Sequence, residues 1–99
     1  MKTHKALQAL SALAQESRLA VYILLLDEPE GLAAGEIAER MEVPATTMSF
    51  HLSQLKNAGL ITSMKNGKSV VYSANLKKAK KLGKYITGKK SKKEKKYQL

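Results

Sequence analysis

With 99 residues, 43% of them hydrophobic, the chain has room for one core and too little left over for a second core with an elaborate active site. It contains no cysteine, which excludes disulfides, zinc ribbons, thiolate metal sites, thiol redox switches and cysteine nucleophiles together. The formal charge of +10 is lopsided: up to residue 75, Lys2, Lys5, Arg18, Arg40, Lys56, Lys65 and Lys68 balance Glu16, Asp27, Glu28, Glu30, Glu36, Glu39 and Glu42, and the last quarter sets its lysines against Glu94 alone.

The longest apolar run, Leu19 to Leu26, falls far short of the ~20 residues that span a bilayer. Basic residues open the chain, but Gln8 and Ser11 break the stretch that follows, and no secretory signal is legible. A cytoplasmic protein with no membrane partner is the expectation. From Lys2 to Ala14 the spacing of Ala6, Leu7, Leu10, Leu13 and Ala14 predicts an amphipathic helix. Ser17 is placed to cap a second helix that runs to about Asp27 and has almost no polar face, which predicts the centre of the core. Glu28-Pro29-Glu30-Gly31 breaks the chain.

Ile37, Ala38 and Met41 predict a short helix over Ala34 to Met41. Pro44 suits the start of another, Ala45 to Asn57, with Met48, Leu52 and Leu55 inward at i, i+4 and i+7. Two short helices joined by about three residues make a helix-turn-helix. Gly59 suits the end of the second, although Glu42 occupies the tight turn where glycine would be at ease. The runs Ile61 to Lys65 and Val70 to Ser73 flank Asn66-Gly67, a strong hairpin signal, and a hairpin directly after a helix-turn-helix is a wing. Leu76, Ala79, Leu82, Gly83 and Ile86 stripe a last, lysine-rich helix. Residues 1–88 are therefore expected to form one domain and residues 89–99 a lysine-rich tail too charged to fold alone.

The stretches LSALAQESRLAVYILLL (10–26), AGEIAERMEVPATTMSFHLSQLKNAGLI (34–61) and KNGKSVVYS (65–73) together resemble the ArsR/SmtB regulators, and the resemblance covers most of residues 7 to 75. It implies a mainly α winged helix-turn-helix in the order α-α-α-α-β-β-α, and a homodimer joined through its first and last helices. The activity implied is that of a repressor bound as a dimer to an inverted-repeat operator in double-stranded DNA. The apolar residues set aside for the subunit interface are Leu7, Leu10, Leu76, Leu82 and Ile86.

With Met48, Leu52 and Leu55 assigned to the core, Thr46, Thr47, Ser49 and Phe50 point toward the major groove, with His51 and Gln54 as further candidates; beside a buried Leu52, His51 reads as a hydrogen-bonding structural residue or a phosphate contact before it reads as a switch. Phe50, the only phenylalanine, stands where the family often has a longer polar or basic residue, so apolar or shape readout is expected there; packing under the wing or on the first helix is its bland alternative. Lys56, Lys65, Asn66, Lys68 and Ser69 are the backbone and wing contacts, which position the protein without reading sequence.

Family members often sense metal through cysteines on the first helix of the motif, or through Asp, His and Glu on the last helix. Here the first position reads Gly35-Glu36-Ile37 and the second holds neither histidine nor carboxylate. The thiols of the arsenite-responsive branch, at the end of the last helix, are replaced by Gly88-Lys89-Lys90. No metal site and no cofactor is expected, since soft metals and trivalent arsenic require thiolates. The chain also lacks a phosphate loop, an apolar carboxylate pair and a nucleophile beside a base, so no enzyme is expected. Two rivals stay open. One is a general nucleic-acid-binding or packaging protein dominated by the basic tail; the other is a winged-helix interaction module, favoured by the neutrality of residues 1–75. The tail itself reads either as a solubilising extension or, with the helix before it, as a sequence-independent contact to the DNA backbone.

Overall fold

The computed structural model of the chain describes residues 1–88. The elements run α1 (Thr3–Leu13), α2 (Glu16–Leu26), β1 (Leu32–Ala33), α3 (Ala34–Met41), α4 (Ala45–Asn57), β2 (Ile61–Asn66), β3 (Ser69–Ala74) and α5 (Leu76–Thr87). The expected order holds, with β1 in addition. The expected boundary at residue 88 and the tail beyond it lie outside the described residues.

Helix α1 buries Ala6, Ala9 and Ala12 instead of its leucines, because small side chains let it lie close on its neighbours, and this turns Leu7 (60% exposed) and Leu10 (39% exposed) outward. It meets α2 at 102°. The cap of α2 is Gln15, not Ser17: Gln15 is extended and its side chain accepts the Arg18 N–H at 2.8 Å, while Ser17 already lies inside the first turn. Val21, Tyr22 and Leu25 of α2 are buried among α1, α3, α4 and β3, so one side of this helix joins the core while Leu19, Ile23 and Leu26 face outward. None of these helices is by itself long and apolar enough to cross a membrane.

β1 escapes any periodicity argument because it has two residues. It pairs antiparallel with β3, Leu32 opposite Tyr72 and Ala33 opposite Val71, in a sheet of order β1-β3-β2. β2 and β3 form the hairpin, from Ile61 opposite Ala74 out to Asn66 opposite Ser69, so Asn66 ends a strand and Gly67-Lys68 make the tip.

The turn between α3 and α4 is made by Glu42 in the left-handed region (φ 56°), the only non-glycine residue with positive φ among those described. The Val43 N–H then donates to the Ala38 carbonyl at 3.0 Å and closes the end of α3. From α4, Met48, Leu52 and Leu55 join Val21, Leu25, Ile37, Leu60 and Ile61 in the core, and burying each such side chain stabilises by about 1.5–3 kcal/mol.

Asn75 ties three parts together. Its N–H donates to the Leu60 carbonyl at 2.8 Å, its side-chain amide donates to the Gly59 carbonyl at 3.0 Å, and its side-chain oxygen caps α5 by accepting the Lys78 N–H at 3.1 Å. Leu82 is 7% exposed and packs into the chain's own core. That corrects its assignment to a subunit interface, for which it has no free surface, whereas Leu76 (56% exposed) and Ile86 (61% exposed) do.

Candidate nucleic-acid interface

With Met48, Leu52 and Leu55 of α4 buried, Thr46, Thr47, Ser49 and Phe50 form one exposed face on the other side of the helix. Phe50 is 57% exposed, which removes the packed alternatives for it; its ring lies 6.1 Å from that of His51, tilted by 55°. Pro44 precedes α4 without any side-chain cap, leaving the first N–H groups of the helix open to an anion. The face therefore offers hydroxyls, one large apolar surface and a positive helix end.

His51 belongs elsewhere. It is 7% exposed and turned inward beside Leu52, which corrects its place among the reading residues. Sequence reasoning also missed its partner: the Arg18 guanidinium lies 3.4 Å from His51 Nδ1 and donates through Nε to the Ala12 carbonyl at 2.7 Å, so one side chain of α2 joins the end of α1 to α4. Gln54 is half-buried in the groove between α1 and α4, about 430 Å³, together with Arg18, Gln8 and Asn57.

Burial first, then the neighbouring Arg18 charge, holds the His51 imidazole below its ordinary pKa of 6.5. Since the folded value lies below the unfolded one, the stability involved is complete above about pH 6.5 and is lost progressively as pH falls below it. The melting temperature should drop between about pH 7 and about pH 5, and His51→Gln should flatten that drop. An equal drop in both proteins would assign the acid sensitivity to other groups.

At the wing, Lys65, Asn66, Lys68 and Ser69 are all exposed, and so is Met64, at 72%, an apolar residue that strand alternation alone could have flagged. Lys56 is exposed as well, and its Nζ donates to Ser63 Oγ at 2.6 Å, which links the base of the wing to α4. Arg40 is held by Glu36 at 2.8 Å and Glu28 at 3.3 Å. The described residues include no cluster of three or more His, Asp or Glu able to hold a metal ion.

The model of a helix-turn-helix domain matches residues 13–63. The chain belongs to this family. It is 37% identical over 68 residues to the transcriptional activator HlyU of Vibrio cholerae, a match covering 69% of this chain and 61% of that protein. The chain thus spans about three fifths of that curated relative. The solved structure of HlyU from Vibrio cholerae N16961 superposes with a TM-score of 0.70 at 30% identity, over 88% of this chain and 96% of that one. An ArsR-like transcriptional regulator from Rhodococcus sp. RHA1 reaches a TM-score of 0.77 at 23% identity, over 87% and 79% of the two chains. The homodimeric winged helix-turn-helix DNA-binding domain Mb0332 from Mycobacterium bovis reaches 0.71 at 24% identity, with coverage of 87% and 79%. The chain shares the winged fold of these regulators.

Proposed function

We propose that this protein is a cytoplasmic transcriptional regulator that binds an inverted-repeat operator as a homodimer and represses by occupying it. The observation that carries the reading is the face of α4: Thr46, Thr47, Ser49 and Phe50 are solvent-exposed on a helix whose opposite side is locked into the core by Met48, Leu52 and Leu55. A helix so held fits the major groove, where hydroxyls meet base edges and an aromatic ring meets thymine methyls. Lys65, Asn66, Lys68 and Ser69 at the wing supply phosphate contacts beside it.

Leu7 and Leu10 of α1 with Leu76 and Ile86 of α5 supply the subunit interface. All four are exposed, and the Thr3 and Tyr85 hydroxyls, 2.7 Å apart, bind the two helices into one surface. A two-fold axis through it would set the recognition helices in successive major grooves, about 34 Å apart. Repression by occupancy needs no part beyond these. With no cysteine in the chain, any inducer acts without a thiolate site.

The test is binding of the purified protein to the DNA upstream of its own gene and to a scrambled duplex, at low and at near-physiological salt. The expected result is a preference for the upstream fragment that survives the higher salt, with a two-fold symmetric footprint. Equal binding to both, lost together as salt rises, would overturn the reading in favour of non-specific packaging.

A further inference from the structure

Helix α5 divides into two sides. Leu82 is buried, Ala79 packs beside it and Tyr85 is hydrogen-bonded to α1, whereas Lys77, Lys80, Lys81 and Lys84 project from the other side, all exposed. Three features of this lysine side are unfavourable for the protein alone. Lys77 and Lys78 stand in the first turn of α5, which holds no acidic residue, and so oppose the helix dipole. The pairs 77/80, 77/81, 78/81, 80/84 and 81/84 set like charges at i, i+3 or i, i+4 spacing, each destabilising the helix by about 0.2–0.5 kcal/mol. No carboxylate offsets them, since the ion pairs among the described residues both belong to Arg40.

A face that served only solubility would intersperse both signs, as α3 does with Arg40 and Glu36. A polyanion relieves all three costs at once. We infer that the lysine face of α5 is a second nucleic-acid contact, one that binds the phosphate backbone of duplex DNA without regard to sequence. From Lys77 to Lys84 the helix rises about 10 Å, over which one DNA strand presents about three phosphates. A lipid surface fits less well, because an interfacial helix sinks its apolar side into the bilayer, whereas on α5 Leu82 is held by the chain's own core and the exposed Leu76 and Ile86 are taken up by the proposed subunit interface.

This contact is separate from the reading of α4, so its test uses a scrambled duplex that contains no operator. In the full chain, Lys77, Lys80, Lys81 and Lys84 are changed together to Gln, with residues 89–99 untouched. Affinity for the scrambled duplex at near-physiological salt should fall at least about tenfold, and the salt dependence should lose about 0.9 in log–log slope for each phosphate contact removed. The melting temperature without DNA should equal or exceed the parent's, because the like-charge pairs are gone, so a folding defect would not be mistaken for lost binding. Unchanged affinity and slope would overturn the inference. So would loss of binding to phosphatidylserine-containing vesicles while duplex binding stays intact. A parent protein with no preference for its upstream DNA, but with these effects of the α5 variant, would refute the operator reading and leave this contact standing.

Discussion

Gly31→Ala should lower the melting temperature by more than about 10 °C, from a loss of roughly 2–5 kcal/mol in a domain of this size. Gly31 follows the Glu28-Pro29-Glu30 break, donates its N–H to the Glu28 carbonyl at 2.8 Å and leads into β1. Two effects act there. The backbone is left-handed at φ 81°, and a Cβ would lie 2.5 Å from Ser73 Oγ, 2.7 Å from the Tyr72 carbonyl oxygen and 2.7 Å from Val71 Cγ1. The conformation alone costs about 1–2 kcal/mol for an alanine. The crowding against β3 adds the rest, since the carbonyl belongs to the paired strand and cannot swing aside as a flexible side chain would.

Gly67→Ala separates the two effects. Gly67 is also left-handed (φ 69°), but a Cβ there meets nothing within 4 Å. Its variant should therefore show the smaller, conformational loss only. Equal losses at both positions, measured by thermal denaturation, would mean that the approach of Gly31 to β3 carries no energetic weight.

How much of the molecule is legible in the sequence depends on the range of the interaction concerned. The bounds of α3 and α4 follow from local signals: apolar side chains at helical spacing, Pro44 before one helix and Gly59 after it. Both helices have the expected bounds. The turn between them is an informative case, because Glu42 adopts the left-handed conformation that glycine favours, showing that the geometry of the motif outweighs the preference of the residue.

What stays hidden is decided by packing. Leucines outrank alanines on any hydrophobicity scale, yet α1 buries Ala6, Ala9 and Ala12, since close approach of helices rewards small side chains and the spacing of Leu7 and Leu10 matches a neighbouring stripe just as well. His51 is ambiguous for the same reason. Standing next to Leu52, it could face either way, and the partner it meets inside is Arg18, thirty-three positions earlier in the chain. No local pattern reports such a contact. Leu82 misleads because a weak stripe on a lysine-rich helix does not reveal which of its members reach the protomer's own core.

Ser49→Ala or Phe50→Ala should weaken binding to the operator far more than binding to scrambled duplex, whereas Lys68→Ala should weaken both alike. Ser49 and Phe50 lie on the exposed face of α4, and a lost base contact costs about 1–3 kcal/mol, roughly fivefold to a hundredfold in operator affinity, with little change on a duplex where that contact never formed. Lys68 sits at the wing tip between Gly67 and Ser69, exposed and distant in sequence from α4. Its charge meets phosphate on any sequence, so its loss should take about 1 from the salt slope on both duplexes and leave their ratio intact. Phe50 is the sharper probe of the two reading positions, because a ring 57% exposed adds nothing to the core that its removal could disturb, and the variant should melt with the parent. Equal losses from all three substitutions on both duplexes would dissolve the division of labour between α4 and the wing. The exposed ring of Phe50 would then serve some contact other than the reading of bases.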